Sequence, residues 1–354
     1  MKKLMKKLTT RETSYYNKPQ HQIIVRNDGE VILETNINDV KVQVFLNYCN
    51  QVNFYNRSFD VNQADFLEIS EKIIHNEIGF IKFEEDLKQI NFVMQDESVY
   101  IIGYTEIEHK PEKISVDYSF KIYKDDLKNI YKKKAIKSMM KETKKNRLHL
   151  NCLAFNGSEY TCTDVRRLHI HKIKNIQELS SPITIGQNTL EILLELNDKI
   201  YCDISNNKVK MKSGVVCIEY NNNYEYPDYS SILPSHSSST IDLKIKDKKE
   251  FIKSIKKLVG ASIIITTPEQ NNLEIFGFDW ESNEIKIKSS IKIIKEKIIL
   301  NNNNDGQTMF DKNYFIEMLE AFDENELTIQ LNGKIRPALI LTDNDTHIFM
   351  PKRK

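Results

Sequence analysis

No stretch of this 354-residue sequence is apolar for the ~20 residues a bilayer-spanning helix needs. The opening Met1-Lys2-Lys3-Leu4-Met5-Lys6-Lys7-Leu8 is basic, but no apolar core follows it, so it does not read as a secretory leader. The five cysteines, Cys49, Cys152, Cys162, Cys202 and Cys217, are odd in number and scattered, and none belongs to a C-x-x-C pair. Reduced, partly buried thiols in a cytoplasmic protein are the plain reading. A G-x-x-x-x-G-K-[ST] loop is missing, which excludes a P-loop nucleotide motor. Neither sign of charge is in excess: 51 basic residues against 50 acidic leave a net charge of +1. Affinity for a polyanion must therefore come from how charge is distributed.

The apolar fraction of 40% is enough for packed cores, and the length suits two or three domains. After the turn signal Asn27-Asp28-Gly29, residues 30–47 alternate apolar and polar, which is strand-and-hairpin grammar. Residues 61–75 switch to helical spacing, with Phe66, Ile69, Ile73 and Ile74 on one side. Strands are expected over 91–104, 115–123, 148–155 and 160–173. Residues 125–141 read as one helix with a blurred stripe, because Ile136 and Met140 fall opposite Leu127, Ile130, Tyr131, Ala135 and Ser138. Short helical patterns follow at 189–196, at 247–259 (Phe251, Ile252, Ile255, Leu258 and Val259 in one stripe) and at 311–322 (Phe315, Met318, Leu319 and Phe322). The helix starts recur at intervals of roughly 60 residues, each helix followed by strands, which is the mark of a repeated α+β unit. One further period back, residues 1–8 are the place for a sixth helix.

Four stretches, in order, carry a family resemblance. They are Leu150-Asn151 with Thr163-Asp164-Val165-Arg166-Arg167-Leu168; the rigid connector Tyr226-Pro227-Asp228-Tyr229-Ser230-Ser231-Ile232-Leu233-Pro234; Phe310 and the helix after it; and Pro337-Ala338, Asp343 and the ending Ile348-Phe349-Met350-Pro351-Lys352-Arg353. Together they resemble the bacterial sliding clamp, the beta subunit of the replicative DNA polymerase, in a divergent, phage- or plasmid-type form. The resemblance is strong from about residue 147 onward and looser before it. Val165 stands where the family has glycine, Arg166 where it has histidine, and Lys352 where an apolar residue is common.

What the resemblance implies is an α+β fold of three repeated clamp domains, each made of two helix-plus-strands units. The expected domains are residues 1–113, with a shortened N-terminus, 114–237 and 238–354. Two copies would close head to tail into a ring, helices inside and sheets outside. The implied function is a processivity factor without catalysis or cofactors that encircles duplex DNA regardless of sequence. It would dock a polymerase and a clamp loader through short apolar peptides. The peptide pocket would use Leu150, Thr163, Arg167, Leu168, Pro227, Ile232, Ile348, Met350, Pro351 and Arg353. Lys352 would then favour peptides with a nearby acidic residue. Lys124, Lys128, Lys132, Lys133, Lys137, Lys141, Lys144, Lys145 and Arg147, with Lys249, Lys253, Lys256 and Lys257, would face DNA. Leu258 and Val259 would meet Val99 and Ile101 of the second copy.

Taken without the resemblance, each set has a blander reading. A lysine run is usually a solvated face, and single apolar residues are usually core. Two other functions are conceivable. One is a monomeric adaptor that keeps the pocket without the ring. The other is a metal-dependent nuclease, for which Asp343-Asn344-Asp345 and residues 301–305 would have to converge, although turn chemistry accounts for both stretches. His169 and His171 share a strand face but show no third metal ligand in sequence.

Overall fold

The structure is a computed structural model that describes residues 20–26, 30–37, 40–46, 57–73, 78–95, 97–107, 118–141, 150–174, 179, 181–196, 199–205, 207–222, 226–233, 241–258, 260–266, 273–278, 290–293, 307–332 and 335–352. The expected first helix at 1–8, the turn Asn27-Asp28-Gly29, the acidic stretch 301–305, and Lys144, Lys145, Arg147, Val259 and Arg353 lie outside the described residues.

In chain order the elements are β1 (Gln20–Val25), β2 (Val31–Ile37), β3 (Val40–Leu46), β4 (Arg57–Asp60), α1 (Gln63–Ile73), β5 (Ile78–Glu84), β6 (Gln89–Met94), β7 (Val99–Gly103) and β8 (Thr105–Ile107). There follow β9 (Tyr118–Tyr123), α2 (Lys124–Tyr131), α3 (Lys134–Lys141), β10 (Cys152–Phe155), β11 (Glu159–Thr163), β12 (Arg167–Lys172), β13 (Ile183–Gly186), α4 (Gln187–Leu193), β14 (Lys199–Ser205), β15 (Lys208–Ser213) and β16 (Val216–Asn221). The last part runs β17 (Ile241–Ile245), α5 (Lys248–Lys257), β18 (Ser262–Thr266), β19 (Leu273–Phe278), β20 (Ser290–Ile293), β21 (Gln307–Asp311), α6 (Lys312–Glu320), β22 (Leu327–Leu331), β23 (Ala338–Leu341) and β24 (Asp345–Phe349). Apart from α3, which begins at 134, helices begin at 63, 124, 187, 248 and 312, the period read from the sequence.

Several helix starts are written locally. Asn62 accepts the Asp65 N–H, Asp247 the Glu250 N–H, and Asp311 the Asn313 and Tyr314 N–H groups, so each short polar side chain satisfies donors the first turn leaves open. The expected single helix at 125–141 is two. It breaks at Lys132-Lys133, and the second piece turns Ala135, Ile136, Met139 and Met140 inward. The break explains the blurred stripe, since two helices need not share one buried face.

The described residues form two compact units, one within 1–127 and 188–223, the other within 128–187 and 224–354. The first unit holds a nine-stranded antiparallel sheet, β8-β4-β1-β2-β3-β16-β15-β14-β9, and a three-stranded sheet, β5-β6-β7. Its core gathers Ile23, Val31, Leu33, Phe59, Phe66 and Ile69. The second unit holds an eight-stranded sheet, β13-β10-β11-β12-β24-β23-β22-β17, and a four-stranded one, β20-β19-β18-β21. Each large sheet is stitched from strands distant in sequence, through β3–β16 in one and β12–β24 in the other. The four described cysteines, Cys152, Cys162, Cys202 and Cys217, are free and buried. Burial pushes the Cys152 thiol up to about 12, so it does not act as a thiolate at neutral pH.

Candidate functional site

The β12–β24 seam presents two chemically opposed faces, because successive side chains on a strand alternate sides. On one face Leu168 lies opposite Ile348, Ile348 opposite Leu339 of β23, and Ile170 stands next in line. Leu168, Ile170, Leu339 and Ile348 form one buried apolar cluster, and Tyr229 packs over it. Tyr229 comes from the double-proline connector, which is tied down locally. Asp228 accepts from the Ser230 N–H and hydroxyl at 2.8 and 2.9 Å, and residues Ser230–Ile232 make a single 3₁₀ turn. The Tyr229 hydroxyl donates to Glu159 and accepts from the Thr161 hydroxyl at 3.2 Å. Ile232, Leu233, Leu341, Val165 and Met350 remain exposed in these strands and their flanking segments.

The turn from β11 to β12 closes one end. Thr163 Oγ donates to the Arg167 carbonyl at 2.6 Å and accepts the Val165 N–H. Asp164 accepts the Arg166 and Arg167 N–H groups at 2.9 and 2.7 Å. Between them Val165 is held at φ +77°, a conformation that a β-branched residue rarely adopts. The Met350 N–H donates to the Arg166 carbonyl at 2.8 Å, which carries the C-terminal strand past its ladder and onto this turn.

The opposite face points to α3 and α6 and is charged. Arg167 is 1% exposed. Its guanidinium meets Asp164 at 2.7 Å, Glu317 of α6 at 2.8 Å and the Ser138 hydroxyl of α3 at 3.1 Å, and it stacks 3.8 Å above the Tyr314 ring centroid. Two pairs along the same face, Asp345 Oδ1 collects three donors: Lys133 Nζ at 2.5 Å, His171 Nδ1 at 2.7 Å and His169 Nε2 at 3.0 Å. Asp345 only accepts, so His169 presents Nε2–H to it, and the His169 Nδ1 lone pair accepts a hydrogen bond from His347 Nδ1–H, 3.1 Å away. His347 Nε2 is left as a buried lone pair with no hydrogen-bond partner among the described residues. Burial brings His169 down to about 4 and holds His347 well below the ordinary imidazole range. Burial alone would raise the Asp345 carboxyl, but hydrogen bonds from His169 and His171, with the Lys133 charge, outweigh it and hold the group well below the carboxylate range.

Of the ten residues expected at a peptide pocket, Leu168 and Ile348 converge in the cluster, with Pro227, Ile232, Met350 and Pro351 in the segments flanking it. Leu150 is buried and the Thr163 hydroxyl is spent on its own turn. Arg167 departs from expectation, since its guanidinium is locked on the helix face, opposite the apolar cluster. Ile170, Leu339 and Tyr229 were missed; the alternation in Ala338-Leu339-Ile340-Leu341 was the available signal for Leu339. Lys352 also departs. Its ammonium lies 3.1 Å from Asp311 and 3.0 Å from Ser262 Oγ, and its N–H donates to the Met309 carbonyl, so the tail is pinned to the start of α6.

Among the expected DNA-facing cations, Lys128, Lys132, Lys137, Lys141, Lys249, Lys253, Lys256 and Lys257 are exposed. Lys133 is the correction, because its ammonium is buried against Asp345 and cannot meet a polyanion. Lys124 caps the Leu196 carbonyl. The helix face also carries acid: Lys256 pairs with Glu320 at 2.8 Å and Lys132 with Asp323 at 3.1 Å. A depression of about 520 Å³ beside α3, α5 and α6 is lined by both signs, including Lys134, Lys256, Asp311 and Glu317. Leu258 is 3% exposed within its own chain, which removes it from an intersubunit contact, whereas Val99 and Ile101 stand exposed on the edge strand β7. The third partner of His169 and His171 proves to be Asp345, but Lys133 already neutralises it. Among the described residues no group of His, Cys, Asp or Glu side chains is arranged to hold a metal ion. Nor is any described helix long and apolar enough to cross a membrane.

In sequence, the chain is 27% identical over 256 residues to the beta sliding clamp of Bacillus subtilis, a match covering 69% of this chain and 65% of that protein. It is 23% identical over 204 residues to the beta sliding clamp of Staphylococcus aureus, covering 54% and 52%. No protein-family profile matches. Among solved structures, the DNA polymerase sliding clamp from Bacillus subtilis superposes with a TM-score of 0.69 at 17% identity, and the DNA polymerase III subunit beta from Pseudomonas aeruginosa with 0.72 at 14%; each alignment covers 100% of this chain and 96% of the other. The Helicobacter pylori beta clamp bound to a DNA ligase peptide superposes with 0.66 at 17% identity and the same coverage.

Proposed function

The chain has the sliding-clamp fold and is a divergent relative of the bacterial beta sliding clamps, and from that premise we propose that it is a processivity factor of DNA replication. Two copies close head to tail around duplex DNA in the cytoplasm, and partners such as a polymerase and a clamp loader dock through short apolar peptide segments. No bond is made or broken by the protein itself. Three domains, 1–113, 114–237 and 238–354, supply the ring, and each large sheet runs across one domain boundary.

The observation that carries the reading is the buried apolar cluster of Leu168, Ile170, Leu339 and Ile348, covered by Tyr229, with exposed Ile232, Leu233, Leu341 and Met350 in the adjoining segments; we place the docking groove there. Exposed apolar side chains next to a buried apolar cluster suit an extended peptide that brings its own aliphatic or aromatic anchors. The exposed lysines of α2, α3 and α5 suit a duplex held through its phosphates, an attraction blind to sequence and weakened by salt. The edge strand β7, with Val99 and Ile101 outward, supplies one half of a heterologous contact that closes after two copies.

Topology provides the test. Loaded protein should persist on circular DNA, leave linear DNA through its free ends, and persist again once those ends are blocked. Its solution mass should be that of a dimer. Equal lifetimes on free-ended and end-blocked DNA, or a monomeric mass at all concentrations, would overturn the ring.

A further inference from the structure

We propose that one end of the first unit's large sheet binds single-stranded DNA, with Tyr201 stacking on a base and Lys121, Lys199 and Lys212 meeting the flanking phosphates. The surface uses none of the helix lysines and goes beyond the ring-and-docking reading. The sheet ends in the order β15-β14-β9. Its register sets Lys121, Tyr201 and Lys212 in one row across these three strands, and Lys199 opposite Tyr123 in the next. Alternation sends them to the side away from the buried Ile122, Ile200, Cys202 and Met211. The three lysines are exposed, and Tyr201, a large aromatic residue, is 50% exposed. Lys121 Nζ stands 5.4 Å from the Tyr201 ring centroid, so a cation already attends the ring.

The carboxylates of this face are engaged elsewhere. Asp203 accepts from the Ser119 hydroxyl at 2.7 Å, Glu219 lies 4.0 Å from Lys208, and Glu34, buried farther along the row, is held by Gln43 at 2.7 Å. Lys210 stands between Asp203 and Glu219 in register and adds no excess charge. Lys199 and Lys212 make no ion pair among the described residues. A chain whose net charge is only +1 thus gathers three cations around one exposed aromatic ring. An acidic peptide would match the lysines and leave the ring unused. A duplex keeps its base faces stacked on one another and offers the ring nothing. A single strand supplies both parts, unstacked bases for the tyrosine and phosphates for the lysines. The choice of DNA over RNA rests on the replication reading, whereas the surface itself does not.

The experiment titrates fluorescein-labelled oligothymidylate of about 20 nucleotides with the full chain, by fluorescence anisotropy at several salt concentrations. Tyr201→Leu should bind about ten-fold more weakly, and Tyr201→Phe, which keeps the ring, should bind like the parent. Lys199→Gln with Lys212→Gln should weaken binding and reduce the slope of log affinity against log salt by about 1.4, two phosphate contacts at about 0.7 each. On the parent protein, an oligonucleotide carrying 5-iodouracil should crosslink within β14. Crosslinks to the helices alone, unchanged affinity in Tyr201→Leu, or no binding by the parent at low salt would each overturn the surface. So would poly-glutamate of matched charge displacing the probe as well as unlabelled oligothymidylate does, since the partner would then be an acidic protein. Tighter binding of oligouridylate than of oligothymidylate would overturn DNA as the occupant. Retention on circular duplex should be unchanged in Tyr201→Leu, so this surface and the ring can fail separately.

Discussion

The two long sheets are joined across sequence in the same way, but one seam buries a hydrocarbon row where the other buries an ionic one. At β3–β16 the paired residues on one face are Val44 with Val216, Val42 with Ile218 and Val40 with Tyr220, an almost wholly hydrocarbon row, with Gln43–Cys217 and Lys41–Glu219 on the other face. At β12–β24 the corresponding pairs are Arg167 with Phe349, His169 with His347 and His171 with Asp345. A hydrocarbon seam tolerates small misfits, since any apolar neighbour of about the right size is acceptable. A buried ionic seam tolerates none. Slipping β24 by one residue would turn Asp345 to the other face and leave the Lys133 ammonium and two imidazoles unpaired. We read the second seam as fixing register at the junction that also builds the groove, because Leu168 and Ile348 face each other only when His169 and His347 do.

The sharpest way to break the comparison is Asp345→Ala against Ile218→Val. Removing the carboxylate strands a buried cation and should cost about 3–5 kcal/mol. Trimming one methyl from the other seam should cost about 0.5–1.5 kcal/mol. Denaturant unfolding followed unit by unit checks both, and equal losses would mean that the ionic seam is not special.

Acid should come next. An unfolded chain protonates its histidines at the ordinary value near 6.5, whereas His169 in the fold resists until about 4 and His347 is likewise held well below its ordinary value. The depressed groups therefore lend no pH dependence above about 6.5, and stability falls as pH drops from there toward 4. For His169 alone the loss reaches about 3 kcal/mol. Asp345, held below the carboxylate range, stays ionised throughout this window. Among the described residues of the first unit the one depressed imidazole is His21, on β1 against Phe66 and away from its seam, so its response should be smaller. Melting curves at pH 7, 6, 5 and 4 that move both units equally would contradict the assignment.

The smallest effect expected is that of Lys352→Met. The Lys352–Asp311 pair is partly exposed, so its loss should shift stability by no more than about 1 kcal/mol. Because the ammonium is already engaged, affinities for acidic-flanked and neutral peptides should keep their ratio. A change in that ratio would show that Lys352 does reach the ligand.

Much of this architecture could be read from the sequence because its determinants are local. Asp247 and Asp311 announce their helices within three residues, and Phe315, Met318, Leu319 and Phe322 mark one face by spacing alone. What could not be read depends on partners far along the chain. A lysine at 133 reads as solvated until Asp345 is placed beside it, and Arg167 reads as a groove cation until Glu317 arrives, 150 residues later. The single-helix expectation at 125–141 failed for the same reason, since the break sits where Lys133 turns inward. A weak signal did exist. Arg167-Leu168-His169-Ile170-His171 places ionisable groups at every second position of a strand, and Asp345-Thr346-His347 does so at two, as a cross-strand polar row requires. The groove itself was legible chiefly through the family resemblance, because Leu168 and Ile348 taken singly read as core.

The stitching of both sheets also bears on how the chain is made. His169 waits for Asp345, 176 residues downstream. At the usual 5–20 residues per second of synthesis, β12 is exposed with an unpaired edge for on the order of 10–35 s before β24 leaves the ribosome. During that interval the strand presents open N–H and C=O groups, a template for pairing with another nascent chain. The alternating Arg167, His169 and His171 then act as a guard on the growing polypeptide, since a strand half made of ionisable side chains is a poor partner for anything but its own complement.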